Sequence, residues 1–190
     1  MINATEKPPA NLDTPDVKTS SRLPYALLVA AVVIIVVVLD QLTKRMALAS
    51  FHPGEIRPVI DGLFNLTLSF NTGAAFGLWT GLASGWRESV LALTILMALA
   101  LVIFLLTRPY YQNLLAQTAL AAILGGAVGN VIDRFLYGAV VDFLDFYIGS
   151  SHWPAFNIAD SAICLGVGLL LFLPKPDADD TLSEGRKNLV

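Results

Sequence analysis

The stretch "VVIIVVVLDQLTKR", residues 32–45, decides how this chain folds. Its seven consecutive β-branched residues would favour a strand in water, because branching at Cβ suits a pleated surface and crowds a helix. Yet the run continues an apolar stretch that begins at Tyr25, and it gives way to polar residues at Asp40, Lys44 and Arg45. In hydrocarbon an isolated strand leaves its backbone N–H and C=O groups unpaired, whereas a helix satisfies them internally. The medium outweighs the propensity, and the stretch reads as a membrane helix.

The rest of the chain agrees with that medium. Of 190 residues, 55% are hydrophobic and only 14% charged, against roughly 25% charged in an ordinary soluble domain. Apolar runs cover residues 25–39, 90–106, 114–132 and 158–173. About 20 helical residues cross the hydrocarbon, so the shorter runs must borrow flanking residues. The predicted fold class is an all-α polytopic membrane protein: four transmembrane helices, a small extracytoplasmic β-sheet, and a periplasmic loop or short helix. The first run lacks a small-residue cleavage pattern and reads as a retained signal anchor. Residues 1–22 and 175–190 are polar and predicted to be flexible cytoplasmic tails around one membrane-embedded domain, 23–174.

Four crossings put both termini on one side, and the Lys/Arg balance selects which. Lys7, Lys18, Arg22, Arg108, Lys175, Arg186 and Lys187 fall inside, against Lys44, Arg45, Arg57, Arg87 and Arg134 outside, seven to five. Trp79, Trp86 and Trp153 fall in the outer segments and are expected at the headgroup level, with Tyr110 and Tyr111 at the inner face. Within the first outer segment, "FNLTLSF" alternates apolar Phe64, Leu66, Leu68 and Phe70 with polar residues, the period of a half-buried strand. The outer segment 135–157 could be a short interfacial helix or a loop. The single cysteine, Cys164, permits no internal disulfide and is expected to be a small core or lipid-facing residue. No zinc spacing, phosphate loop or basic nucleic-acid patch is present, so no metal, cofactor or nucleic-acid partner is expected.

Ionisable groups at the membrane are costly unless paired or hydrated, so each is a functional candidate. Asp40, Lys44 and Arg45 end the first helix, Asn130, Asp133 and Arg134 end the third, and Asp160 opens the fourth, all at the outer side of the four-helix arrangement. Asp40 and Lys44 have the order and spacing of a helical ion pair. Gly126, Asn130, Asp133 and Arg134 share one helix face, and Gly125, Gly126 and Gly129 allow close backbone approach.

Asp142, in "GAVVDFLDFY", and Asp160, in "FNIADSAICLGVGLLLF", have no basic residue within four positions. The apolar context of Asp142 favours its neutral form, and the helix start at Asp160 favours its ionised form. Two carboxylates sharing a small dry space hold one proton between them, so one could activate water and the other donate a proton. Three readings stay open on pattern alone: this dyad, an Asn157-based helix cap in which Asp160 completes a capping box, and an ion or proton path. Asp145 rivals Asp142. A serine triad of Asp145, His152 and Ser150 or Ser151 lacks a nucleophile elbow.

Five blocks, in order, carry a resemblance: "DQLTK" at 40–44, "NTGAAFG" at 71–77, "GGAVGNVIDR" at 125–134, "VVDF" at 140–143 and "FNIAD" at 156–160. Together they resemble the lipoprotein signal peptidase family, signal peptidase II, over roughly residues 24–173. The resemblance implies an aspartyl endopeptidase of the bacterial cell inner membrane, with both termini cytoplasmic and the site facing the periplasm. It would cleave diacylglyceryl-modified prolipoproteins on the amino side of the lipidated cysteine. It implies Asp142 and Asp160 as the catalytic pair in preference to Asp145. Asp40, Lys44, Asn71, Gly73, Asn130, Asp133, Arg134 and Asn157 are implied to bind substrate or brace the site. It further implies inhibition by globomycin, contact with membrane lipid, no cofactor and a monomeric enzyme. A proton- or ion-coupled transporter would instead carry its acids near the midplane, and an assembly factor would not need them.

Overall fold

The computed structural model describes residues 23–73 and 84–173. In chain order these form helix α1 (Leu23–Ser50), strands β1 (Ile56–Ile60) and β2 (Phe64–Asn71), helix α2 (Ser84–Leu106), helix α3 (Leu114–Tyr137), strands β3 (Val140–Ile148) and β4 (Ser151–His152), and helix α4 (Ile158–Leu171). The two tails, residues 74–77 of the "NTGAAFG" block, Trp79 and the side chain of Trp86 lie outside the described residues.

Among the described residues, three helices are long and apolar enough to cross a bilayer: 24–50, 89–106 and 114–137. The β-branched run is helical throughout, as the medium requires. One expectation needs correction. The first helix does not end at Asp40 but runs to Ser50, so Asp40 and Lys44 lie within it and can be packed against other elements. The fourth helix has 14 residues, about 21 Å at 1.5 Å per residue, which alone is shorter than the roughly 30 Å of hydrocarbon.

Helix α3 is the core of the bundle and packs against both α1 and α4. Small residues make that possible. A Cβ on Gly126 would collide with the backbone carbonyl of Ala159 on α4, and one on Gly129 would meet Asp40 Oδ2 on α1. The helix begins with Asn113 accepting the Ala116 N–H at 2.8 Å. It stops at Gly138, whose left-handed φ of 71° lets its N–H reach Arg134 O and turns the chain directly into β3.

The sheet is antiparallel in the order β1-β2-β3-β4. The outer segment 135–157, expected as a loop or short helix, therefore contributes a nine-residue strand that pairs with β2. "VVDFLDFYI" is rich in β-branched and aromatic residues, and the edge of β2 satisfies its backbone. β2 is a strand as its alternation predicts, but its simple apolar face is interrupted. A bulge between Leu66 and Ser69 shifts the register from Asn65↔Asp145 to Ser69↔Asp142. Asn65 and Thr67 are buried through hydrogen bonds to Asp145 and Glu55 O, while Phe70 is exposed.

Candidate active site

Asp142 and Asp145 are three apart on β3, so their side chains leave opposite faces of the strand. Asp145 accepts from Asn65 Nδ2 at 2.8 Å and meets His152 Nδ1 at 2.9 Å. Among the described residues, neither Ser150 nor Ser151 is hydrogen-bonded to that histidine. Asp142 turns instead toward α3 and the start of α4.

There, Asn157 caps α4 with Oδ1 accepting the Asp160 N–H at 2.9 Å. Half of the expected capping box is present. The Asp160 side chain does not complete it; its Oδ1 accepts from Asn130 Nδ2 at 2.7 Å. Asn157 Nδ2 donates to Asp142 Oδ1 at 2.7 Å and lies 3.2 Å from Asn130 Oδ1. Two adjacent amides thus bridge the carboxyl groups, which sit 18 positions apart in the chain. The cap is real, and it serves to hang Asp160 and Asp142 on one hydrogen-bonded pair.

Asn71 adds a second amide donor to Asp142. Its Oδ1 is occupied by the Gly73 N–H at 2.9 Å, which leaves the NH2 end for the carboxyl group. Gly73 has a φ of +83°, which favours glycine, and a Cβ there would lie 2.7 Å from Leu91 Cδ2, so that side chain would have to shift.

Behind the amides lies a buried ion cluster. Lys44 Nζ is 2.8 Å from Asp40 Oδ2, 2.7 Å from Asp133 Oδ2 and 3.0 Å from Asn130 Oδ1. Each acid also takes a backbone N–H: Asp40 Oδ1 accepts from Ala159 at 2.9 Å, and Asp133 Oδ2 from Val141 at 3.0 Å. Those residues immediately precede Asp160 and Asp142. One ammonium therefore holds two carboxylates, each of which holds the backbone beside one of the paired aspartates. The sequence pattern suggested an i,i+4 ion pair closing a helix end; in the fold the pair is buried and extends across three elements.

Gln41 was not singled out from sequence, although it lies inside the "DQLTK" block. Its Nε2 donates to Asp133 Oδ1 at 2.8 Å and completes that carboxylate's shell. Arg45, by contrast, faces outward. Arg134 Nη1 donates to Asn130 O at 3.3 Å, while its buried Nε has no partner. The Lys44 ammonium lies between Asp40 and Asp133 and pairs with both.

Electrostatics separates the members of the pair. Burial, and then the nearby charge of Asp160, push the Asp142 carboxyl up to about 7, against the opposing pull of the Asn71 and Asn157 amides and of Lys44. At neutral pH such a group is poised between proton donor and acceptor. Beside Asp160 a cavity of about 350 Å³ is lined by Trp153, Pro154, Ala155, Phe156, Ser161 and Cys164. Cys164 is exposed one turn beyond Asp160, on the wall of that cavity.

Strand β3 and the start of helix α4 thus hold a carboxyl pair on an amide bridge, beside a largely apolar cavity and among apolar helices. Residues 32–173 match the family described as Signal peptidase (SPase) II. A lipoprotein signal peptidase of Paraburkholderia phymatum is 48% identical over 141 residues, 74% of this chain and 83% of the relative. One of Ralstonia nicotianae is 50% identical over 138 residues, 73% and 78% of the two chains. A solved bacterial membrane enzyme, determined by the in meso method at 1.9 Å resolution, superposes with a TM-score of 0.67 at 34% identity, covering 75% of this chain and 89% of its own. The chain belongs to the signal peptidase II family.

Proposed function

We propose that this chain removes the signal peptide from diacylglyceryl-modified prolipoproteins by cutting on the amino side of the lipidated cysteine, with Asp142 and Asp160 as the catalytic pair. The observation that carries the reading is the shared amide bridge: Asn157 holds Asp142 and Asn130 holds Asp160, each at 2.7 Å, while the two amides touch one another.

In this reaction Asp142 starts protonated, as its raised affinity for a proton favours, and Asp160 starts ionised at the positive end of α4. Asp160 takes a proton from water as the water oxygen attacks the scissile carbonyl carbon. Asp142 gives its proton to the carbonyl oxygen, producing a neutral gem-diol. Asp160 then protonates the departing nitrogen, Asp142 recovers a proton from one of the diol hydroxyls, and the C–N bond breaks. The signal peptide leaves with a new carboxyl end and the lipidated cysteine with a free amine. Both acids return to their starting states.

The surrounding residues position these groups. Asn71, held by Gly73, directs an amide at Asp142. Lys44, Asp40 and Asp133 fix the backbone on which both acids stand. Arg134 has a buried Nε without a partner, and a substrate backbone carbonyl is the group suited to fill it.

The site faces the periplasm, both termini are cytoplasmic, and the enzyme acts as a monomer in contact with lipid. Helix α4 forms the fourth crossing together with the apolar residues that follow it. This topology keeps the acyl tails and the signal segment in the bilayer while the scissile amide reaches the outer ends of the helices. Purified protein incubated with a diacylglyceryl-modified prolipoprotein should release a product whose first residue is the lipidated cysteine. Cleavage at any other bond, or none, would refute the assignment.

A further inference from the structure

A second cavity, of about 430 Å³, lies over the sheet and is absent from the catalytic account above. Its walls include Ile56, Phe70, Asp145, His152, Trp153 and Ala155. Trp153 and Ala155 also line the cavity beside Asp160, so the two spaces adjoin across one short segment.

The polar feature of this cavity is built rigidly. His152 Nδ1 lies 2.9 and 3.0 Å from the two oxygens of buried Asp145, which is held in turn by Asn65. The imidazole stacks on Tyr147 with ring centres 5.0 Å apart and planes within 10°. Tyr147 is anchored through its hydroxyl, which accepts the Gly62 N–H at 2.7 Å. With Nδ1 committed, Nε2 is the ring atom left for a ligand, and the side chain is 45% exposed. Around it stand the exposed apolar side chains of Ile56, Phe70 and Trp153, the last 69% exposed. A few oriented polar atoms among apolar walls suit a peptide segment.

We infer that this cavity receives the first residues of the mature lipoprotein, those directly following the lipidated cysteine, with His152 Nε2 hydrogen-bonding their backbone. The inference rests on the prolipoprotein reading above. The direction follows from place. The signal segment and acyl chains are apolar and run beside the helices, whereas the cavity includes Pro53 and Gly54, beyond Ser50 where α1 ends. The part of the substrate that leaves the bilayer is the mature chain. His152 and Ile56, which line this cavity and not the one beside Asp160, are thus specificity residues whose contacts contribute to binding.

The test compares two diacylglyceryl-modified substrates with the same signal peptide, one carrying about ten mature residues and one ending at the lipidated cysteine. For His152→Ala and Ile56→Ala, KM on the long substrate should rise about tenfold with kcat nearly unchanged, as expected when uniform binding is removed. On the short substrate both variants should match wild type. His152→Gln, which keeps a side-chain hydrogen-bond donor, should recover part of the lost affinity. Equal losses on both substrates would mean that these residues only support the fold, and wild-type KM on the long substrate would mean that the cavity is not used; either overturns the proposal. Cleavage of both substrates by wild type but not by Asp142→Asn leaves the peptidase reading standing in those cases. Failure of wild type to cleave either substrate would remove both.

Discussion

Asp40 on α1 accepts the backbone N–H of Ala159, 119 positions away on α4, at 2.9 Å. A membrane helix thereby supplies part of the N-terminal cap of another, using a carboxylate whose second oxygen is bound by Lys44. Because Ala159 adjoins Asp160, the contact couples the packing of the bundle to the position of a catalytic candidate. Asp133 does the same for Asp142 through Val141.

Removing the cation at the centre should therefore damage more than one contact. Lys44→Met leaves Asp40 and Asp133 buried and unneutralised, a change that costs on the order of 3–5 kcal/mol in buried ion pairs. Thermal unfolding in detergent should show a large loss of stability, with cleavage lost in parallel. Lys44→Arg should recover little, since a planar guanidinium does not reproduce three contacts made by a compact ammonium.

Gly126→Ala tests the approach of α3 to α4 independently of charge. Its Cβ would meet the Ala159 carbonyl, a backbone atom that cannot rotate aside. Overpacking of this kind costs about 1–3 kcal/mol. The expected outcome is a lower midpoint of thermal unfolding and reduced kcat, because Asp160 follows Ala159 in the displaced turn.

Gly73→Ala should reduce activity more than stability. The new side chain must adopt a φ near +83° and displace Leu91, a strain of roughly 1–2 kcal/mol for the backbone alone. The turn that points Asn71 at Asp142 would be distorted. Steady-state kinetics should show a fall in kcat/KM, with the unfolding midpoint changed by only a few degrees.

The pH dependence has a defined sign. Asp142 binds its proton more tightly in the folded protein, about 7 against an ordinary 3.8. Its contribution to stability is complete below the ordinary value and is lost as pH rises through about 7. Wild type should therefore lose stability relative to Asp142→Asn over that interval. The kcat/KM profile should be bell-shaped, its basic limb near neutrality marking loss of the shared proton and its acid limb marking protonation of both acids. A flat profile from acid to neutral pH would contradict general acid–base use of the pair.

Hydropathy made the helices legible, since lipid leaves a β-branched run such as Val32–Val38 few alternatives. The alternation of β2 was legible too. Strand β3 was not, because "VVDFLDFYI" has no simple alternation and acquires its register only from pairing with β2. The burial of polar Asn65 and Thr67 depends on partners at Asp145 and Glu55 O, and neither it nor the bulge between Leu66 and Ser69 leaves a local signature. The acids at the helix ends were visible as candidates, and the family resemblance selected Asp142 over Asp145. What pattern could not reveal was the wiring: Asp40 serving Ala159, Gln41 serving Asp133, and Lys44 joining both branches. These are contacts between distant segments, created by close helix packing at glycines.

The most direct measurement of the central claim is cleavage of a diacylglyceryl-modified prolipoprotein by wild type, Asp142→Asn, Asp160→Asn and Asp145→Asn, each verified as folded. The account predicts that the first two variants lose kcat by at least about a thousandfold, within the range for removing a general acid or base, while Asp145→Asn retains kcat within a few fold. Substantial turnover by Asp142→Asn or Asp160→Asn would contradict it.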